Sequence, residues 1–270
     1  MPESRGHLNP GARGVELERF DVGRGLADLV RHVWIARWQL PPGEVNDQRV
    51  LTYPTFNLVI MNGTAALYGP DPKLHVRKLS GRGWALGLLL RPAAGVLLTP
   101  LAPSKLVGKS QPVDDAPIAA VERAMGHTDH VARLAALTSL WLGPVAAQVD
   151  EQGRLVNRVS QLAEEDATIV RVTQLARRAG VSPRSLERLV VRHIGVTPKW
   201  LIDCRRMQAA ATTLHARPDT DLTALALSLE YADYAHFSRR YKEVLGETPD
   251  RTRAVARASR PARDTAARRG

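Results

Sequence analysis

Apolar residues recur with two different periods along this chain, and the change of period divides it. Between residues 15 and 110 they come in short runs bounded by Gly, Pro and Asn. Val30–Leu40 carries Val33, Trp34, Ile35 and Trp38 and stops at Pro41-Pro42-Gly43. The run from Arg49 to Met61 is interrupted at Pro54 and ends at Asn62-Gly63. That dipeptide predicts a tight hairpin into Ala65–Tyr68. His75–Leu79 is short, and Trp84–Leu90 is almost wholly apolar, as a strand buried on both faces would be. Short strands at this spacing predict a sandwich or barrel.

The period then lengthens to that of a helix. Residues 93–98 and 103–107 read as short helical turns, and 115–125 as an amphipathic helix. Residues 130–142 place Val131, Leu134, Leu137, Leu140 and Trp141 on one face, with Gly143-Pro144 expected to end the helix. Gln152–Glu164 is a further helix with Leu155, Val159 and Leu162 in phase. Beyond Thr168 the pattern is all helical. Val172–Ala179 exits through Gly180, and Ser182-Pro183 caps and starts a helix reaching His193. Pro198 to about His215 forms one helix of roughly 27 Å, with Trp200, Leu201, Cys204, Met207, Ala211 and Leu214 on one stripe. Asp221 and Asp233 cap the last two helices, and the second ends before Gly246. The fold class is therefore α+β. A β-rich, sandwich-like or barrel-like N-terminal domain with following helices precedes an all-α bipartite helix-turn-helix domain. The expected organisation is a disordered lead at 1–14, an N-terminal regulatory domain at 15–148, a DNA-binding domain at 152–253 and a basic disordered tail at 254–270.

An internal repeat carries the functional argument. Ser182-Pro183-Arg184-Ser185-Leu186-Glu187-Arg188 recurs 51 residues later as Asp233-Tyr234-Ala235-His236-Phe237-Ser238-Arg239. Gly195 matches Gly246, and both copies close on Thr-Pro. The preceding apolar segments match at an offset of 50, Leu175-Ala176 against Leu225-Ala226 and Val181 against Tyr231. The second turn thus has one extra residue. Two helix-turn-helix units in register imply a DNA reader, because a braced helix fits the major groove.

Charge supports that direction. Of the net +11, +6 lies in residues 251–270. A basic tail of this kind is most simply solvated, and it can also contact phosphates non-specifically. The lone cysteine, Cys204, excludes an intrachain disulfide and a CxxC metal knuckle. No membrane-length apolar run and no signal peptide occur, so a cytoplasmic, nucleoid-associated setting is expected. The sequence lacks GxSxG, GxxxxGK[ST], GxGxxG and HExxH, and no metal-ligand set emerges around His7, His32, His75, His127 or His130. No enzymatic activity, cofactor or metal is expected.

The apolar residues of each unit fix the brace and leave others facing outward. Candidate DNA-contacting residues are Arg184, Ser185, Glu187, Arg188 and Arg192 in the first unit. In the second they are Tyr234, Ala235, His236, Ser238, Arg239, Arg240 and Lys242. Arginine suits both guanine edges and phosphates. The two reading helices are expected on one DNA face about 34 Å apart. Residues from about 168 to 253 resemble the DNA-binding domain of the AraC/XylS family of bacterial transcription regulators. The resemblance rests on LAxxAGVSPRSLxR, the Gly-x-Thr-Pro step, Arg205-Arg206-x-x-x-Ala209 and HFSRRYKEVLGETP. It implies a sequence-specific transcription factor, usually an activator touching RNA polymerase, whose N-terminal domain binds an effector or dimerises. The family usually has Gly-Phe in the second turn, where this chain has Glu230-Tyr231. A side chain there faces a position where φ needs to be positive.

In the N-terminal half, Tyr53-Pro54-x-x-Asn57-Leu58-Val59, Gly87–Pro92 and Leu101-Ala102-Pro103 resemble a sensor-like domain found ahead of such DNA-binding domains in actinobacterial-type regulators. The aromatics Trp34, Trp38, Tyr53, Phe56, Tyr68 and Trp84 read mostly as core. Asn57 and Arg91, polar residues flanked by apolar strands, are the candidate ligand-lining residues. A small-molecule effector and a homodimer, with its face on Val131–Trp141, are the expected regulatory partners beside promoter DNA. A nucleoid-type binder without sequence preference is the competing reading, and deleting 251–270 would separate the two.

Overall fold

The computed structural model describes residues 14–51, 54–71 and 73–258. Tyr53, most of the expected lead and the end of the expected tail lie outside them. The chain forms two compact units, residues 1–202 and 203–270. The division falls inside a helix, so the first helix-turn-helix unit packs with everything that precedes it.

The first unit begins with antiparallel sheet. Strands β1 (Val15–Phe20), β2 (Val30–Gln39), β4 (Asn57–Met61), β5 (Thr64–Tyr68), β7 (Arg82–Leu90) and β8 (Ser110–Pro112) form six strands in the order β1-β2-β7-β4-β5-β8. Strands β3 (Val45–Leu51) and β6 (Leu74–Ser80) pair separately. The hairpin expected at Asn62-Gly63 joins β4 to β5, with Asn62 at φ 52°. Alternation sets the faces. Val33, Ile35, Leu58, Ile60, Leu86, Leu88 and Leu90 enter the core with Phe56, and helices α1 (Ile118–Met125) and α2 (His130–Ala146) cover it with Val121, Ala124, Leu134 and Leu142. On the opposite face Trp34 and Trp38 lie directly across from Gly87 and Gly83. A Cβ on Gly87 would stand 2.0 Å from Trp34 and one on Gly83 2.4 Å from Trp38. Each indole therefore occupies the space above a glycine, which is why β7 can be apolar yet carry two glycines.

One boundary differs from expectation. Helix α2 runs through Gly143-Pro144 to Ala146. The backbone bond that Pro144 forfeits is to the carbonyl of Leu140, a residue on the exposed side of the helix.

Helix α3 (Glu151–Glu165) starts on Asp150, whose carboxylate accepts from the Gly153 N–H at 2.7 Å. Helices α4 (Val172–Ala179) and α5 (Pro183–Ile194) follow, and Val156, Val159, Leu175, Leu186, Val190 and Ile194 form their shared core. Helix α6 (Pro198–Ala216) crosses the division. The second unit continues with α7 (Leu222–Ser228), α8 (Tyr234–Leu245) and α9 (Pro249–Ala258). Met207, Leu214, Ala226, Phe237 and Tyr241 are fully buried there. Helix α9 extends into the stretch expected to be tail, and its Thr252 and Ala256 are buried.

Candidate nucleic-acid interface

The two helix-turn-helix units repeat one another bond for bond. Gly180 ends α4 at φ 72°, its N–H donating to the Arg177 carbonyl, while the Val181 N–H reaches back to Ala176 at 3.0 Å. Fifty residues on, Glu230 takes φ 57°, its N–H donates to Leu227, and the Tyr231 N–H donates to Ala226 at 3.0 Å. The turn thus keeps the left-handed geometry seen at Gly180, with a side chain in place of the glycine. Ser182 then accepts from the Ser185 N–H at 3.1 Å, and Asp233 accepts from the His236 N–H at 2.7 Å. Each cap satisfies one of the otherwise free N–H groups in the first turn of the following helix.

Burial then decides what each second helix presents. In α5 Leu186, Leu189, Val190, His193 and Ile194 face inward. Arg184, Arg188 and Arg192 are exposed in one stripe, each about 6 Å from the next. None of the three has a hydrogen bond or ion pair among the described residues. Glu187 is exposed beside them. Ser185 is half-buried and receives the Ser182 hydroxyl at 3.0 Å, so its side chain serves the cap.

In α8 the inward residues are Phe237, Tyr241, Val244 and Leu245. Ala235, His236, Arg239 and Lys242 are exposed. The His236 ring stands edge-on to Tyr231 at 5.2 Å, which holds it close to the turn. Arg239 and Lys242 have no partner among the described residues. Ser238 is half-buried. Tyr234 donates its hydroxyl to Asp250 at 2.6 Å, tying the start of α8 to α9. Burial, then that hydrogen bond, raise its pKa, so it remains a neutral donor.

Arg240 is placed differently from its neighbours. Its guanidinium donates twice to Asp203 on α6, at 2.6 and 2.9 Å, and once to Glu243 at 2.9 Å. Asp203 is 1% exposed, so Arg240 serves the interior of the second unit. Arg206 completes this core network. It lies over the Tyr231 ring at 4.2 Å and donates to the Leu229 carbonyl, bracketing Glu230 from both sides. Asp203 was not among the residues singled out from sequence, and Arg206 was noted there only as part of a motif, without this role. A charged residue on the apolar stripe of a long helix was the available signal.

A second missed element is α9. Thr248 accepts from the Arg251 N–H at 3.2 Å, as Thr197 accepts from Trp200 at 3.2 Å to start α6. The duplicated Thr-Pro step therefore starts a helix both times.

The two ligand-lining candidates are not brought together. Asn57 accepts from the Trp34 indole N–H at 3.2 Å on the outer sheet face. Arg91 follows β7 and lines a pocket against α3 that does not include Asn57.

The end of α5 rests on residues 92–105. A Cβ on Gly195, at φ 84°, would stand 2.4 Å from the Ser104 nitrogen, and one on Gly95 would stand 2.2 Å from the His193 carbonyl. Only glycine allows both approaches. His193 is buried with its Nδ1 3.0 Å from the Leu189 carbonyl, and burial pulls its pKa down, so the ring is neutral.

These features define a pair of helix-turn-helix units, the architecture of a DNA-binding protein. Residues 175–254 match the family model described as a helix-turn-helix domain, and residues 19–112 match a domain of unknown function, DUF6597. XylDLEGF operon transcriptional activator 2 of Pseudomonas putida is 32% identical over 99 residues, which are 35% of this chain and 62% of that protein. The chain thus spans about three-fifths of that relative. A probable AraC family transcriptional regulator from Rhodopseudomonas palustris is 28% identical, with a TM-score of 0.35 over 40% of this chain and 99% of that one. The C-terminal domain of AraT, a response regulator from Geobacillus stearothermophilus, is 21% identical, with a TM-score of 0.38 over 45% of this chain and 98% of that one. The C-terminal part of this chain is thus a helix-turn-helix domain similar to those of bacterial transcriptional activators, with a β-rich region ahead of it. Among the described residues no helix is long and apolar enough to cross a membrane.

Proposed function

We propose that this protein is a one-component transcription regulator that binds promoter DNA through both helix-turn-helix units. The observation that carries this reading is the stripe Arg184, Arg188 and Arg192. Three cations aligned on one exposed helix face have no protein partner among the described residues, whereas Arg240 does. Such a face suits guanine edges and phosphates together. Residues 15–148 serve as the regulatory domain, responding to a small-molecule effector or forming a homodimer, and residues 152–253 as the DNA-binding domain. RNA polymerase is the partner at an activated promoter, and the cytoplasmic nucleoid is the place of action. The test is selection of bound sequences from a random DNA library with the full-length protein. The expected product is an asymmetric motif with two blocks about one helical turn, roughly 34 Å, apart. Equal recovery of all sequences would overturn the reading in favour of non-specific binding.

A further inference from the structure

The two helix-turn-helix units share a backbone but not a charge. Helices α5 and α8 are each 12 residues long and end on a left-handed glycine, so an offset of 51 aligns them position by position. The stripe Arg184, Arg188 and Arg192 of α5 therefore falls on Ala235, Arg239 and Glu243 of α8, which are exposed as well. Glu243 accepts from Arg240 at 2.9 Å, and Arg240 is itself committed to Asp203. Three cations on one face thus become an alanine, one arginine and a carboxylate.

The bracing helices differ in the same sense. Arg171 and Asp221 are the N-cap residues of α4 and α7. At the offset of 50 that these set, Arg177 falls on Leu227 and Arg178 on Ser228. Arg177 is exposed with no partner among the described residues, whereas Leu227 puts an apolar side chain, 57% exposed, at the matching place. From Val172 to Ile194 five arginines stand against Glu187 alone, a formal charge of +4. From Leu222 to Leu245 the three cations Arg239, Arg240 and Lys242 are balanced by Glu230, Asp233 and Glu243. The first helix of such a unit crosses the DNA backbone, and the start of the second meets base edges. Each phosphate that a cation neutralises steepens the salt dependence of binding by about 0.9 on logarithmic axes. A carboxylate at Glu243 repels a phosphate where Arg192 attracts one. At the start of α8, the Ala235 methyl suits a thymine methyl, whereas Arg184 suits a guanine.

We propose that the two units divide the work of binding. The first anchors the protein to the phosphates and sets its affinity. The second adds base discrimination with few phosphate contacts, Ala235 meeting a thymine methyl where Arg184 meets a guanine. This division rests on the reading of the chain as a DNA-binding regulator.

The experiment measures the Kd of the full-length protein across a salt series, for one duplex recovered by selection and one random duplex. All substituted residues are exposed. The triple variant Arg177→Gln, Arg184→Gln and Arg192→Gln is expected to lower the slope of log Kd against log salt by roughly 2–3 on both duplexes. The double variant Arg239→Gln and Lys242→Gln is expected to lower it by less than about 1. An equal or larger loss in the double variant would overturn the division. Leu227→Arg with Glu243→Arg moves the second unit towards the charge of the first, and is expected to steepen the slope by roughly 1–2. An unchanged slope would show that these positions do not face phosphates and would overturn the alignment of roles. Replacing thymine by deoxyuridine in the second block removes only the methyl group. It is expected to weaken wild type about threefold or more and to leave Ala235→Gly unaffected. Equal weakening of both would overturn the methyl contact. Equal Kd for the selected and the random duplex would count against the regulator reading and leave the slope comparison standing. Binding of neither duplex would overturn both.

Discussion

The carboxylate of Asp203, in the middle of α6, is held by the guanidinium of Arg240 on α8 at 2.6 and 2.9 Å. This pair fixes the second reading helix to the connecting helix inside one compact unit. Breaking it leaves a buried arginine or carboxylate uncompensated, at about 3–5 kcal/mol. Asp203→Ala is therefore expected to lower the stability of residues 203–258 by about 3 kcal/mol and to weaken contacts made by α8. Urea unfolding, with DNA affinity as the second readout, checks it. A loss below about 1 kcal/mol would mean that the network is not structural.

Glu230 tests the opposite direction. Its φ of 57° costs a side-chain-bearing residue roughly 1–2 kcal/mol. Glu230→Gly removes that strain but adds freedom to the unfolded chain, about 0.5–1 kcal/mol. The expected net gain is about 0.5–1 kcal/mol, read as a higher unfolding midpoint. A lower midpoint would show that the Glu230 side chain itself stabilises the turn.

Arg188 lies at the centre of the exposed stripe on α5. Arg188→Ala is expected to cost about 1–3 kcal/mol of DNA affinity and to relax preference at one base pair. Equal weakening on every sequence, with a shallower salt dependence, would assign it to phosphate.

His32 gives a pH dependence. It is 5% exposed with an unpartnered Nδ1, and burial followed by the charges of Arg19 and Arg31 lowers its pKa to about 4. The folded state therefore holds the ring neutral while the unfolded chain protonates it near pH 6.5. Its stabilising effect is full above about pH 6.5 and is lost as pH falls towards 4. The difference between wild type and His32→Leu in urea stability is expected to shift by roughly 3 kcal/mol between pH 7 and pH 4. A constant difference would show that the ring takes up its proton alike in the folded and unfolded chain.

Much of this molecule was legible in the sequence because local signals and packing agree. Caps at Ser182, Asp221 and Asp233, the Asn62-Gly63 hairpin and the left-handed turn at Glu230 are all set within a few residues. What was not legible depends on distant partners. Helix α2 continues through Pro144, against the local expectation that Gly143-Pro144 ends it. Arg240 looks like its neighbour Arg239 until Asp203 is found beneath it, 37 residues away in sequence. Asn57 and Arg91 share a polar character in apolar surroundings, yet the sheet sends them to different places. Strand β8, three residues long, carries too few residues to show a period of its own.

Truncation at the basic end should respect α9. Removing only residues 259–270 leaves Thr252 and Ala256 in the core, whereas cutting at 251 removes them. A 259–270 deletion is therefore the cleaner measure of how much non-specific binding the tail supplies.

Gly95 and Gly195 bear on how such chains can be recombined. The support of the first reading helix is written in residues 92–105, far upstream of the helix-turn-helix sequence. A chimera that exchanges everything before residue 150 would also exchange the surface on which Gly195 and the His193 carbonyl rest. Compatible donors would need small residues and matching backbone at those positions. The exchangeable module thus ends within α6, and lineages that trade sensor domains must carry the first helix-turn-helix along or rebuild its seat.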